Sequence, residues 1–238
     1  MSVVDPVSQI ARQDVRRGAV DCAPLAVGVA IYGLAFGLLA AQAGMSGLNV
    51  GVMGATVFAG ASQIVTVERT IAGGGAIAAA VAGLVLNLRL LLVTASIRDI
   101  YVGRPWWQIA LGAHLATDEN WARMMGRRAE GQDVGYWHLV GGGLVLVVAW
   151  LASTITGAVL ASEIPNPRAL GMDFAFTAAF IAITRSLWRG RTSLLPWFAS
   201  VVAVTGILAT GAIDPTWALI AGGVIGAATA AIQPAAKA

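Results

Sequence analysis

Three short stretches of this 238-residue chain place polar groups in strongly apolar surroundings. Such groups are costly inside a membrane and mark solute or ion pathways. The first is Phe58-Ala59-Gly60-Ala61-Ser62-Gln63. Its small residues allow a helix to unwind, and the N–H groups freed at such a break can hold a carboxylate. Ser62 and Gln63 add side-chain donors and acceptors. The same run equally suits a small-residue packing face, with Gln63 bonded across helices. The second stretch is Asn87-Leu88-Arg89. An arginine at membrane depth needs a carboxylate, from Asp118, Glu119 or a substrate, or else it snorkels to the interface. Asn87 and Arg89 are two apart and do not share a helix face. The third is Ala116-Thr117-Asp118-Glu119-Asn120-Trp121, with His114 just before it. His114 and Asp118 are four apart and are expected on one helical face. A carboxylate partly removed from water is a candidate proton carrier. The alternative is a solvated loop, or Thr117 or Asp118 capping a following helix.

Other chemistries find little support. The two histidines, His114 and His138, lack metal-ligand spacing, and Cys22 is the only cysteine, so no metal or disulfide framework is expected. There is no G-x-S-x-G nucleophile elbow and no phosphate-cradling G-x-x-x-x-G-K-[ST] run. The chain is therefore not expected to be an enzyme, to need a cofactor or to hydrolyse ATP itself. No Lys/Arg-rich, aromatic-interleaved stretch suggests nucleic-acid binding.

The elements that position these residues follow from composition. Hydrophobic residues make up 58% and charged residues 11% of the chain, with a mean hydropathy of +0.77. Soluble domains carry about a quarter charged residues, so a lipid-facing surface is expected instead. An all-α polytopic membrane bundle with seven or eight hydrophobic segments fits, one or two of them re-entrant or broken. The segments fall near 20–43, 48–67, 74–97, 105–125, 136–161, 172–188, 194–211 and 215–233, against about 20 residues for a spanning helix. Segment 48–67 is interrupted by glycine. Segment 105–125 carries His114, Asp118, Glu119 and Arg123 and cannot face lipid along its length.

Residues 1–19 read as a cytoplasmic amphipathic segment without a secretory-signal pattern. Residues 20–233 read as one transmembrane domain and 234–238 as a cytoplasmic tail. The basic residues place both termini in the cytoplasm. Eight full spans then leave Arg98 and Arg104 outside, whereas re-entrant second and fourth segments bring them inside and leave Arg69 outside. Re-entrant backbone requires cover by protein or a water-filled cavity. Both topologies stay open, as does an inverted repeat.

In register along residues 20–190 run Gly33-Leu34-Ala35-Phe36-Gly37, Ala43-Gly44-Met45-Ser46, the 58–63 run, Asn87-Leu88-Arg89, Thr117-Asp118-Glu119 and Asp173-Phe174-Ala175-Phe176. Together they resemble the AzlC family, the large subunit of bacterial branched-chain amino-acid exporters linked to azaleucine resistance. The resemblance implies export of valine, leucine, isoleucine and, in some members, methionine across the bacterial inner membrane. It also implies a small second membrane subunit of the AzlD kind. On that reading Gly60, Ser62, Gln63, Asn87 and Arg89 contact substrate, while His114, Asp118 and Glu119 couple a proton or ion. Thr117, Asn120 and Asp173 complete the polar pathway. Leu90 stands where the family usually has histidine, Val93 near a usual tyrosine, and Ile31-Tyr32 where Pro-Phe or Pro-Val is common. These departures keep open a same-scaffold transporter or channel for another small solute.

Overall fold

A computed structural model describes residues 6–73, 75–161, 163, 188, 190–212 and 215–233, and no strand occurs among them. The chain forms two compact units, Met1–Ala179 and Phe180–Ala238. Most of segment 172–188, including Asp173, lies outside the described residues.

The first unit is built on two long helices, α1 (Pro6–Gln42) and α7 (Tyr136–Leu160). Between them come α2 (Gly47–Val57), α3 (Gly60–Ile71), α4 (Ala76–Ser96), α5 (Trp106–Leu115) and α6 (Asp118–Ala129). Helix is the form these apolar runs must take in lipid, because it satisfies every backbone group within the segment. α1 continues without interruption through residues 19 and 20, so the amphipathic stretch and the first apolar segment are one helix.

α1 and α7 run parallel. Asp21 meets His138, Gly33 meets Ser153, and Gly37 meets Ala158. Their backbones touch where Gly37 faces the Thr154 carbonyl and Gly157 faces the Leu34 carbonyl; a Cβ at either position would collide with main chain. Small residues permit this close seam, which gains packing energy that lipid cannot supply.

The two interrupted segments are helical hairpins entering from opposite ends. Gly47 lies against Val159, Gly51 against Ile155 and Gly54 against Leu151, so α2 starts at the C-terminal end of α7 and descends. α3 then climbs back antiparallel to α4. Gly83 lies against Ser62, and the Thr66 hydroxyl donates to the Ala79 carbonyl at 3.3 Å. The second hairpin enters from the other end. At the start of α5, the Gln108 carbonyl accepts from the Tyr136 hydroxyl at 2.9 Å. At the end of α6, Arg128 reaches Asp99, just past α4, at 2.7 Å. Both ends of α5–α6 therefore lie at the end of the unit that gathers Arg104, Arg127 and Arg128. Arms of 10 to 12 residues rise about 15–18 Å, roughly half of a ~30 Å hydrocarbon core. Segments 48–67 and 105–125 are thus half-depth hairpins rather than single spanning helices.

In the second unit a 3-10 turn (Gly190–Ser193) leads into α8 (Leu194–Thr210), and α9 (Pro215–Ala231) follows. The pair is antiparallel: Ser200 Oγ donates to the Gly222 carbonyl at 2.7 Å, and Gly226 sits against Ser200 and the Pro196 carbonyl. Across both units, four described helices are long and apolar enough to cross a membrane: Gln9–Gln42, Ala76–Ser96, Tyr136–Leu160 and Gly190–Thr210.

Candidate functional site

The α2–α3 hairpin is called outer, and the α5–α6 hairpin, which enters from the arginine-rich end, inner; the tip of the outer one is a genuine break. Phe58 adopts φ +36° in the left-handed region, which bulky residues rarely enter. Its N–H closes α2 on the Gly54 carbonyl, and Ala59 starts α3 without any side-chain cap. The first-turn N–H groups of α3, from Gly60 to Ser62, have no partner within their helix, and their dipole end favours an anion. Ser62 is buried and its hydroxyl donates to the Ala59 carbonyl at 2.9 Å, bracing the break. Gln63 is fully buried. Its Oε1 accepts from the Trp150 indole N–H at 3.1 Å, while its Nε2 is buried with no partner. Gly60 is required here, because a Cβ would lie 2.8 Å from the Tyr32 ring and 3.1 Å from Trp150. Tyr32 and Phe36 complete an aromatic cluster on Trp150, at centroid distances of 5.6 and 5.5 Å.

The inner hairpin turns at Ala116. Thr117 caps α6, its hydroxyl accepting from the Asn120 N–H at 3.3 Å. The expectation that His114 and Asp118 stack on one face is corrected by this turn, since His114 ends α5 and Asp118 begins α6. His114 instead faces the other tip, its ring 5.9 Å from that of Phe58. The two breaks therefore meet. Asp118 pairs with Arg89 of α4 at 3.0 Å, and the positive end of α6 supports its charge. Glu119 is partly buried and engages no ion pair among the described residues. Tyr32 is buried and its ring lies against the start of α3 at Gly60. Asn87 is partly buried, and its Oδ1 has no partner.

Asn120 is fully buried and spends its amide N–H groups on the Leu115 carbonyl at 2.9 Å and the Leu139 carbonyl at 2.8 Å. Its Oδ1 lies 3.6 Å from the Cys22 thiol. This side chain ties the hairpin turn to α7. Three functional candidates went unnoticed in the sequence. Trp150 supplies the partner of Gln63, and its signal is an indole N–H deep in an apolar run, which must find an acceptor. Asp21 and His138 stand 2.9 Å apart. The signal for Asp21 is a lone carboxylate at the start of an apolar segment. Among the described residues, no group of three His, Cys, Asp or Glu side chains could hold a metal.

The tips meet at Phe58 and His114. One hairpin carries the first-turn N–H groups of α3 and the orphaned Gln63 amide; the other carries Glu119, without an ion pair among the described residues, and Asp118 paired with Arg89. Four described helices of spanning length and apolar composition define the class as a multi-pass membrane protein. The sequence matches the family described as AzlC protein over residues 24–164, more than half of its length, and the chain belongs to the AzlC family. No curated protein and no solved structure matches it.

Proposed function

We propose that this protein exports branched-chain amino acids, and methionine among related substrates, across the bacterial inner membrane as a gradient-driven carrier. The observation that carries the reading is the meeting of the two hairpin tips at Phe58 and His114, with an unmet amide donor at Gln63 on one hairpin and the Asp118–Arg89 pair and Glu119 on the other. A zwitterion needs both a donor and an anionic group. Its carboxylate suits the first turn of α3 and Gln63 Nε2, and its ammonium suits Glu119. Tyr32 and Phe58 offer apolar surface to a short aliphatic side chain. A substrate carboxylate competing for Arg89 releases Asp118 to take up a proton, which links solute and proton movement. Asp173 is kept as a further pathway residue of the same family reading.

The arginine-rich end is assigned to the cytoplasm by the positive-inside rule, with both termini on that side. Arg69, at the far end of α3, is the minority charge. A small AzlD-like membrane subunit is the proposed partner, following the family. Leu90 supports keeping a second reading, a carrier of this scaffold for a different small solute, because a family histidine is missing there.

The test is counterflow of labelled valine, leucine, isoleucine and methionine in proteoliposomes holding this chain, with and without a small AzlD-like membrane protein. Saturable exchange of the branched-chain residues is expected. Exchange of an unrelated solute alone would select the second reading, and no exchange of any solute would sink both.

A further inference from the structure

Asp21 of α1 is the hub of a charged knot at the arginine-rich end. Its Oδ2 accepts from Arg127 Nε at 2.7 Å and lies 2.9 Å from His138 Nε2. Its Oδ1 accepts from Arg127 Nη2 and, at 3.5 Å, from Arg123 Nη2. One carboxylate on α1 therefore ties the returning arm of the inner hairpin to α7. The outer hairpin is held differently: its α2 arm packs on α7 through Gly47, Gly51 and Gly54, and its α3 arm bonds α7 through the uncharged Gln63–Trp150 pair. Packing and an uncharged bond are indifferent to pH, but a knot of charges is not.

His138 is only 2% exposed, and its Nδ1 is buried without a partner. A carboxylate can only accept hydrogen bonds, so the nitrogen facing Asp21 carries the hydrogen. In the neutral ring Nδ1 then holds a bare lone pair. A proton added there creates a buried N–H with no acceptor, and a third cation shares Asp21 with Arg123 and Arg127. A buried donor with no acceptor is costly, and the added charge crowds a carboxylate that two guanidiniums already share. The knot must part before Nδ1–H can reach water. An open cleft of about 990 Å³, lined by His138, Asp21 and Arg127, borders it and supplies that water.

We propose that His138 is a proton-accepting group of this carrier, and that its protonation loosens the inner hairpin from α1 at Asp21. The proposal rests on the transport reading above for its purpose, though not for its test. Other charges face the same knot: Asp14, Arg16 and Arg17 from α1, and Asp133 from the loop before α7. Glu130 is engaged by Arg127 at 3.1 Å, and Asp14 by Arg17 at 3.6 Å. The proton comes from water in the cleft and leaves by the same route, so no other reactant is needed.

Cys22 provides a built-in reporter. It is the only cysteine, is fully buried, and its thiol sits between Asn120 of α6 and Gly142 of α7. Loosening α6 exposes it. The experiment measures maleimide labelling of Cys22 in the full chain in membranes, normalised at each pH to the denatured protein. Lowering the pH from about 8 to about 5 is expected to raise the normalised rate about tenfold. His138→Gln is expected to give one rate throughout. A flat wild-type profile, or an equal rise in His138→Gln, overturns the proposal. If His138→Gln does not fold, ¹⁵N imidazole spectra of the wild type decide instead. A ring titrating alongside the labelling supports the proposal, and one that does not titrate there overturns it. No substrate enters this readout, so an absence of amino-acid counterflow would overturn the transport reading and leave this result standing.

Discussion

Arg89 and Asp118 stand 3.0 Å apart, joining the middle of α4 to the first residue of α6 at the turn of the inner hairpin. Their side chains are 46% and 38% exposed, so the pair is reachable as well as formed. An accessible ion pair at the meeting point of two broken helices can exchange partners.

Neutralising this pair tests that exchange. Asp118→Asn is expected to lower counterflow about tenfold, a change of about 1.4 kcal/mol in the rate-limiting barrier, while leaving helix content unchanged. Arg89→Gln should act similarly, and the double variant should lose less than the sum of the two losses. Strictly additive losses in counterflow would show that the two residues act separately.

Gln63 and Trp150 form a buried donor–acceptor pair at 3.1 Å. Gln63→Leu leaves the indole N–H without an acceptor and is expected to cost about 1–3 kcal/mol. Trp150→Phe with Gln63→Leu should cost less than the sum of the two single changes. Thermal unfolding in detergent, followed by circular dichroism, reads both. An unchanged midpoint for Gln63→Leu would rule out the bond as a stabilising contact.

Asn120 donates to two carbonyls from different helices. Asn120→Asp keeps the shape but cannot donate from an ionised carboxylate, so it is expected to destabilise by about 2–3 kcal/mol. Asn120→Ala is expected to fall in the same range. Proteolysis within the 116–130 region should rise with the loss of stability. Equal protease resistance in all three proteins would contradict the role assigned to this side chain.

Asp99 lies beyond the end of α4, where hydrogen bonding to Arg128 holds its carboxyl below the usual range despite some opposing burial. The folded value is lower than the unfolded one. The contribution is therefore complete at neutral pH, above the unfolded value of about 3.9, and fades as acid protonates the folded form. With Asp99 58% exposed, solvent screening keeps the effect within about 1 kcal/mol. Asp99→Asn should lower the unfolding midpoint slightly at pH 7 and 0.15 M salt, and the difference from wild type should vanish in strong acid. A difference that grows on acidification would reverse the sign of this argument.

Much of this arrangement could be read from residue order alone. The 58–63 run suited either a helix break or a packing face with Gln63 bonded across helices, and the structure has both the break at Phe58 and the Gln63–Trp150 bond. Arg89 needed a carboxylate or a route to the interface, and it meets Asp118. The inner turn was less legible. The sequence offered Thr117 as the cap of a following helix only as an alternative, and the structure has that cap; the turn is also held by the grip of Asn120 on carbonyls of Leu115 and Leu139. His114 and Asp118 were consequently assigned to one helix when they flank a corner. The knot at Asp21 was illegible for another reason: His138 lies 117 residues away and Arg127 106, and no periodicity links residues on different helices.

By itself the sequence determined that this chain lives in a membrane as helices, because 11% charged residues cannot solvate a soluble surface and an unpaired backbone cannot persist in lipid. It also determined which few polar residues had to be accounted for. Only the tertiary structure decided that two segments turn back at half depth from opposite ends, and that their tips meet at Phe58 and His114. The physical reason is that hydropathy reports how readily a segment leaves water, whereas its direction is set by contacts with other helices, here glycine against α7 on one side and ion pairs on the other.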